Sequence, residues 1–189
     1  MNRLNISDKL LITLAGTFII IFIIISFLIF TTDGAVNNIF SKTSDFEKLK
    51  PGEASREDVV KLKGEPVSIE EDGNRTNLLY NTRSEDYKNS ITIENDKVKY
   101  SVENVFDSSR GKLSDYKKKY GEPDLKMYDP YDEVISYYIF LDGGVGISSF
   151  NDEDIVKIIY FSPQSREEFL KNVAKPLELG FEKPNHGLE

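Results

Sequence analysis

Cysteine is absent from this 189-residue chain, and histidine occurs once, as His186 near the end of a polar tail. Without cysteine there is no disulfide framework, thiolate nucleophile, cysteine metal site or lipidated-cysteine anchor. A single histidine excludes a Ser-His-Asp triad on a packed scaffold and leaves too few ligands for zinc. Positive charge is also scarce: 24 basic against 32 acidic side chains give a net charge of −8. The first thirty residues hold only Arg3, Lys9 and Asp8, so the remainder keeps 22 basic and 31 acidic side chains. That balance argues against nucleic acid or an anionic lipid surface as the main partner and suits a domain that stays dispersed. No cofactor is expected.

One long hydrophobic run is present. Residues 10–30, LLITLAGTFIIIFIIISFLIF, contain no charge. At ~1.5 Å per residue such a run spans about 30 Å, the thickness of a bilayer core. A cleaved signal peptide would be shorter in its apolar part and would end in small residues, whereas Asp33 stands two places before Ala35. An uncleaved single-pass anchor is therefore expected. Arg3 and Lys9 before it and Asp33 after it keep the N-terminus cytoplasmic and place the bulk of the chain outside the cell membrane.

The rest of the chain is built on a repeat. KLKGEPVSI at 61–69 returns as KKYGEPDLK at 118–126, with Gly64 and Gly121 spaced 57 residues apart. Extending that spacing without gaps matches Leu78 with Ile135, Tyr80 with Tyr137, Val98 with Ile155 and Val102 with Ile159. Two copies of one structural unit follow, and repeats in register over this length mark a shared architecture. Each begins with a short helix, opened in the first copy by Ser55 with Asp58 three places on. Glycine then ends the helix as a left-handed C′ residue, and proline launches a strand. Strand-like runs follow at about 67–71, 76–81, 90–94 and 97–105, then at about 124–128, 133–141, 144–150 and 155–161. Turn chemistry separates them, so each unit reads as an antiparallel meander. A last helix is expected at 165–173, opened by Ser165 and Glu168.

The fold expected is α+β: an N-terminal transmembrane helix, two tandem helix-then-antiparallel-sheet repeats and a C-terminal helix. The boundaries are a cytoplasmic N-terminus at 1–9, the anchor at 10–30 and a tether at 31–45. The repeats take 46–105 and 106–162, and the C-terminal helix and polar tail take 163–189.

The stretch LKPGEASREDVVKLKGEP, followed by LLY and ITIENDKV, resembles the small domain of outer-membrane assembly lipoproteins of the SmpA/OmlA/BamE type. Gly52, Ser55, Val59, Gly64, Pro66 and Tyr80 carry that resemblance; Gly121, Pro123 and Tyr137 carry it in the second copy. A tandem of such units is also similar in architecture to the beta-lactamase inhibitor protein. The resemblance implies a module that grips another protein, while the missing lipidated cysteine favours a tethered module over an outer-membrane lipoprotein.

In the gapless alignment the second copy carries two apolar faces. Ile135, Tyr137, Ile139, Leu141, Ile155 and Ile159 are assigned to the helix side, leaving Tyr138, Phe140, Val156, Ile158 and Tyr160 on the other. The matching first-copy positions of the last three are Lys99, Ser101 and Glu103, which with Lys97 are assigned to a wet face opposite Val98, Tyr100 and Val102. Covering such a face contributes several kcal/mol, at roughly 25 cal/mol per Å². Either the C-terminal helix covers it with Phe169, Leu170 and Val173, the two sheets pack together, or it is a partner surface.

Other groupings read as structure. NDED at 151–154 and DGGVG at 142–146 are hairpin turns in this context, without calcium-loop spacing. Asp129 with Asp132, and Glu70 with Glu71, are pairs that an acidic segment produces by number alone. KKK at 117–119 reads as a solvated helix face that can also meet lipid head groups or an acidic patch. The functional expectation is a non-enzymatic, membrane-anchored extracytoplasmic protein-interaction module, a scaffold subunit or inhibitor of an envelope protein. Its loops at 83–89 and 129–133 would form rims. The alternative is an envelope sensor or small-ligand domain with a cleft between the two repeats.

Overall fold

Eight strands follow the runs read from the sequence to within two residues: β1 (Ser68–Asp72), β2 (Arg75–Asn81), β3 (Lys88–Glu94), β4 (Lys97–Asn104), β5 (Leu125–Tyr128), β6 (Ile135–Phe140), β7 (Val145–Phe150) and β8 (Asp154–Phe161). This computed structural model describes residues 44–184. The expected anchor at 10–30, the N-terminus at 1–9, most of the tether and His186 lie outside the described residues. Among the described residues no helix is long and apolar enough to cross a membrane.

The helices are α1 (Asp45–Lys48), α2 (Arg56–Lys63), α3 (Leu113–Tyr120) and α4 (Arg166–Phe169), with a 3-10 turn at Ser108–Arg110 and a π turn at Leu170–Ala174. Ser55 opens α2: its hydroxyl accepts from the Asp58 N–H at 3.2 Å, and Asp58 accepts the Ser55 N–H at 2.8 Å. Gly64 and Gly121 close α2 and α3 with φ of +80° and +86° and extended ψ of −171° and −163°. Those angles are essentially reserved for glycine. The positive φ was expected of a left-handed cap; the extended ψ sends the chain directly toward the next strand. The two copies then enter their sheets alike, with Val67 N–H on Leu79 O and Asp124 N–H on Ile139 O, both at 2.8 Å.

The expectation of two separate helix-then-sheet units with a C-terminal helix is corrected by the sheet. All eight strands form one continuous antiparallel sheet in the order β1-β2-β3-β4-β8-β7-β6-β5. The last strand of each copy would be an unpaired edge if the copies stayed apart, and edges are costly to leave open. Here β4 and β8 pair with each other, with Val102 opposite Ile159, its own repeat counterpart. Tyr100 opposite Phe161 and Asn104 opposite Lys157 flank that pair symmetrically. A pseudo-two-fold axis therefore passes through the middle of the sheet. The helices are few and short, and the final one is four α residues running into the π turn.

Helices α1, α2 and α3 cover one face of the sheet. Val59 of α2 is buried, and Tyr80 donates its hydroxyl to Gly64 O at 3.2 Å. The segment from α4 through Leu179 covers the other face over the second copy. There Phe169, Val173, Ala174 and Leu179 join Tyr137, Ile139, Ile159 and Phe161 in one core. The Phe161 and Phe169 rings lie 4.9 Å apart.

Candidate functional site

The five residues expected as a partner surface do not lie at the surface as a group. Tyr138, Phe140, Ile158 and Tyr160 share one face, but none is more than 9% exposed. They lie beneath α3: the Tyr120 ring is 5.7 Å from Phe140, and the Lys117 ammonium 5.9 Å from the Tyr138 ring. Val156 is half-buried next to the irregularity in the β7–β8 register and accepts the Val105 N–H through its carbonyl at 2.9 Å. Phe169 and Val173 pack on the opposite face, against Tyr137 and Ile159.

For Tyr138 and Phe140 the cause is register. In the first copy β1 and β2 are joined through residues 73–74, and in the second β5 and β6 are joined through 129–134; the next loops, 82–87 and 141–144, differ in the reverse sense. Leu78 opposes Ile91, which opposes Ser101; the matching row is Tyr138, Ile147 and Ile158. Leu78 thus corresponds to Tyr138 and not to Ile135, and an odd displacement exchanges the faces of a strand.

Two places on the described surface have the make-up of a site. The first lies at the junction of the copies. Glu103, assigned from sequence to a wet face, is buried. Its Oε1 accepts from Arg110 Nη2 at 2.6 Å and Nε at 3.2 Å, and its Oε2 accepts the Tyr160 hydroxyl at 3.0 Å. Glu103 and Tyr160 are repeat counterparts, so this bond crosses the pseudo-two-fold axis. Burial first, and then the Glu103 charge, push the Tyr160 phenol far above its ordinary range. Three donors already engage this carboxylate, which makes the cluster a clamp holding the linker onto the sheet. Beside it is a cleft of about 310 Å³ lined by Asn81, Arg83, Asn104, Asp107 and Ser109 among others. The loop expected as a rim at 83–89 does border it: Arg83 pairs with Asp107 at 2.7 Å, and the Tyr87 and Phe106 rings lie 6.0 Å apart. The other expected rim instead meets the C-terminal segment, where Tyr131 donates to Glu178 at 2.9 Å.

The second place is the sheet edge. The two edges are repeat counterparts and are finished differently. At β5, Leu125 and Met127 are buried, and Tyr128 exchanges two backbone hydrogen bonds with Gly180 at 2.8 and 3.0 Å. At β1 every residue is exposed, and among the described residues no strand pairs with its outer side. Ile69 is 46% and Val67 52% exposed. Glu70, Glu71 and Asp72 follow in the same strand. The sequence shows this run plainly, but reading Glu70 and Glu71 as a chance acid pair passed over it.

The remaining groupings are structural. Asn95 and Asp96, and Asn151 and Asp152, take positive φ in equivalent hairpin turns. Among the described residues no group of three or more histidine, cysteine, aspartate or glutamate side chains could hold a metal ion. The three lysines of α3 pair with Glu122, Asp115 and Glu47.

No family model matches the chain, and no curated protein matches it. Among solved structures it is similar to a DUF4309 family protein from Bacillus subtilis, at 12% identity and a TM-score of 0.45 over 67% of this chain and 93% of that one. It is also similar to an extracellular protein containing a SCP domain from Bacillus anthracis, at 17% identity and a TM-score of 0.41 over 72% of this chain and 50% of that one. A third likeness is to a cysteine-rich secretory protein from Staphylococcus aureus, at 6% identity and a TM-score of 0.40 over 65% of this chain and 47% of that one. The chain spans about half the length of the last two, and likenesses this distant leave function to the geometry.

Proposed function

We propose that this chain is a non-enzymatic, membrane-tethered protein-interaction module of the cell envelope, a scaffold subunit or an inhibitor, and that it docks a partner along β1. The observation that carries this is the contrast between edges: β5 buries Leu125 and Met127 and is bridged to Gly180, whereas β1 is exposed at every residue. An open edge offers a row of backbone donors and acceptors to an incoming strand, with side-chain pockets adding specificity. The uncharged run at 10–30 supports a tether, and Arg3 and Lys9 support an extracytoplasmic domain. Confining the module to a membrane raises its local concentration near an envelope partner.

A photo-reactive amino acid at Ile69, with Tyr131 as exposed control, tests this in the full chain within the source cells. The expected result is one partner, identified by mass spectrometry, joined at position 69 and not at 131, with its own attachment point in an extended segment. Equal labelling from both positions, or none from either, overturns the reading.

A second reading is a small-ligand domain, favoured by the cleft of about 310 Å³ at the junction of the copies. Boundaries between units are common places for such sites. A ligand retained through purification and lost in Asn104→Ala would favour it.

A further inference from the structure

The geometry points to a basic, extended segment of another protein as the occupant of the β1 edge; this rests on the docking reading above. The edge combines an apolar centre with acidic flanks. Leu62, Val67 and Ile69 are exposed apolar side chains from one short stretch. Glu65, Glu70, Glu71 and Asp72 belong to the same stretch, and no lysine or arginine occurs between Gly64 and Asn74. Facing β1 across its inner side are Leu79, Leu78, Asn77, Thr76 and Arg75. Of these, Arg75 already holds Glu94 at 3.0 Å, and only Glu71 among the edge acids gains a hydrogen bond from this strand, from the Thr76 hydroxyl at 2.8 Å.

Three occupants can be compared on charge. A second copy of this chain, paired β1 to β1 in antiparallel fashion about Glu70, would set Glu70 against Glu70 and acids near acids. Like charges facing across strands are destabilising. An acidic or polyanionic partner meets the same repulsion. A strand alternating lysine or arginine with aliphatic residues meets neither. Its backbone extends the ladder, its apolar side chains lie along Ile69 on one face, and its cations lie along the Glu70 and Asp72 carboxylates on the other. Charge complementarity of this kind sets partner choice and encounter rate more than raw affinity. The acids therefore do two things at once: they keep the edge from self-association and select a basic strand.

The test uses the full chain in a non-ionic detergent with three fluorescent peptides that alternate valine with lysine, with glutamate or with serine. The Lys-Val peptide is expected to bind at least about tenfold more tightly than the Glu-Val peptide, with the difference shrinking as salt is raised. The double variant Glu70→Lys with Asp72→Lys should reverse the order. Ile69→Pro should weaken every peptide while circular dichroism stays that of the parent, because proline is tolerated on an edge. If Lys-Val and Glu-Val bind equally and both are lost in Ile69→Pro, the edge docks strands but the basic partner is wrong. If no peptide binds while the Ile69 cross-link to a cellular partner persists, the inference fails and the docking reading stands. If the cross-link is also absent, both fall. A concentration-dependent dimer in sedimentation, abolished by Ile69→Pro, would assign the edge to a second copy and overturn the inference.

Discussion

The two halves of this molecule share a helix cap, a four-strand meander and a hairpin bulge, and differ in what covers them. In the second copy the sheet is dressed on both faces: α3 lies over Phe140 and Ile158, and Phe169 and Val173 lie over Ile139 and Ile159. Its outer strand buries Leu125 and Met127 and is bridged to Gly180. In the first copy α2 covers one face, but the outer strand is bare. The same repeat unit thus serves once as a packed core and once as an open edge. The second copy carries the more fully covered core, and the first copy leaves its outer strand open.

Changes in the second copy should therefore cost most. Phe140→Ala removes a buried ring from beneath α3 and should lower unfolding free energy by about 3–5 kcal/mol, as large-to-small core changes do. Ile69→Ala, on the open strand of the first copy, should change it by less than about 0.5 kcal/mol. Urea unfolding of the two variants measures both, and similar losses would remove the asymmetry.

The clamp between the copies comes next. Glu103→Gln removes the carboxylate that Arg110 holds at 2.6 Å and alters the partner of the Tyr160 hydroxyl. A fully buried pair broken on one side costs about 3–5 kcal/mol, and Arg110 keeps some solvent, so about 2 kcal/mol is expected. Adding Tyr160→Phe should cost less in the Glu103→Gln background than alone, since both act on one bond.

The pH limits should also be separable. In the first copy the Arg75 hydrogen bond, helped by Lys99, holds Glu94 below its ordinary value of 4.5. In the second, the Tyr138 hydrogen bond, helped by Lys126, holds Asp152 below 3.8. A depressed carboxylate contributes stability above its unfolded value and loses it as pH falls through the folded one. The first copy should therefore weaken below about pH 4.5 and the second below about pH 3.8. Burial raises Tyr116 and Tyr160 above 10.0. A raised group contributes below its unfolded value and loses that contribution as pH rises through the folded one. Tyr160→Phe should therefore make the loss of stability above pH 10 smaller, whereas Arg75→Gln should alter only the acid limb.

The smallest effect is at Ser101, whose buried hydroxyl has no hydrogen-bond partner in the described structure. Its repeat counterpart is Ile158, which is fully buried. Ser101→Ala should leave stability unchanged or raise it by about 1 kcal/mol, because an unpaired buried hydroxyl is costly. A loss beyond that in a thermal melt would show that the hydroxyl is satisfied.

The 57-residue spacing made the local elements legible: the Ser55 cap, the glycine stops and all eight strands could be placed from residue types alone. Which way each strand faces could not, because that depends on loop lengths. The exchange of residues between 129–134 and 141–144 displaced β6 by an odd step, which put Tyr138 and Phe140 on the side assigned to Tyr137 and Ile139. The joining of β4 to β8 was equally hidden. Both strands looked complete within their own meanders, and only burial on both faces reveals the shared seam. Glu103 looked solvated for the same reason: its partners, Arg110 and Tyr160, arrive through a linker and through the other copy.

Hydrogen exchange on the full chain, with and without the Lys-Val peptide, tests the central contrast most directly. The account predicts little protection across β1 and clear protection at Tyr128, with added peptide slowing exchange in residues 68–72 and leaving β5 unchanged. Protection of β1 already present without peptide, or peptide-induced slowing confined to other strands, would contradict it.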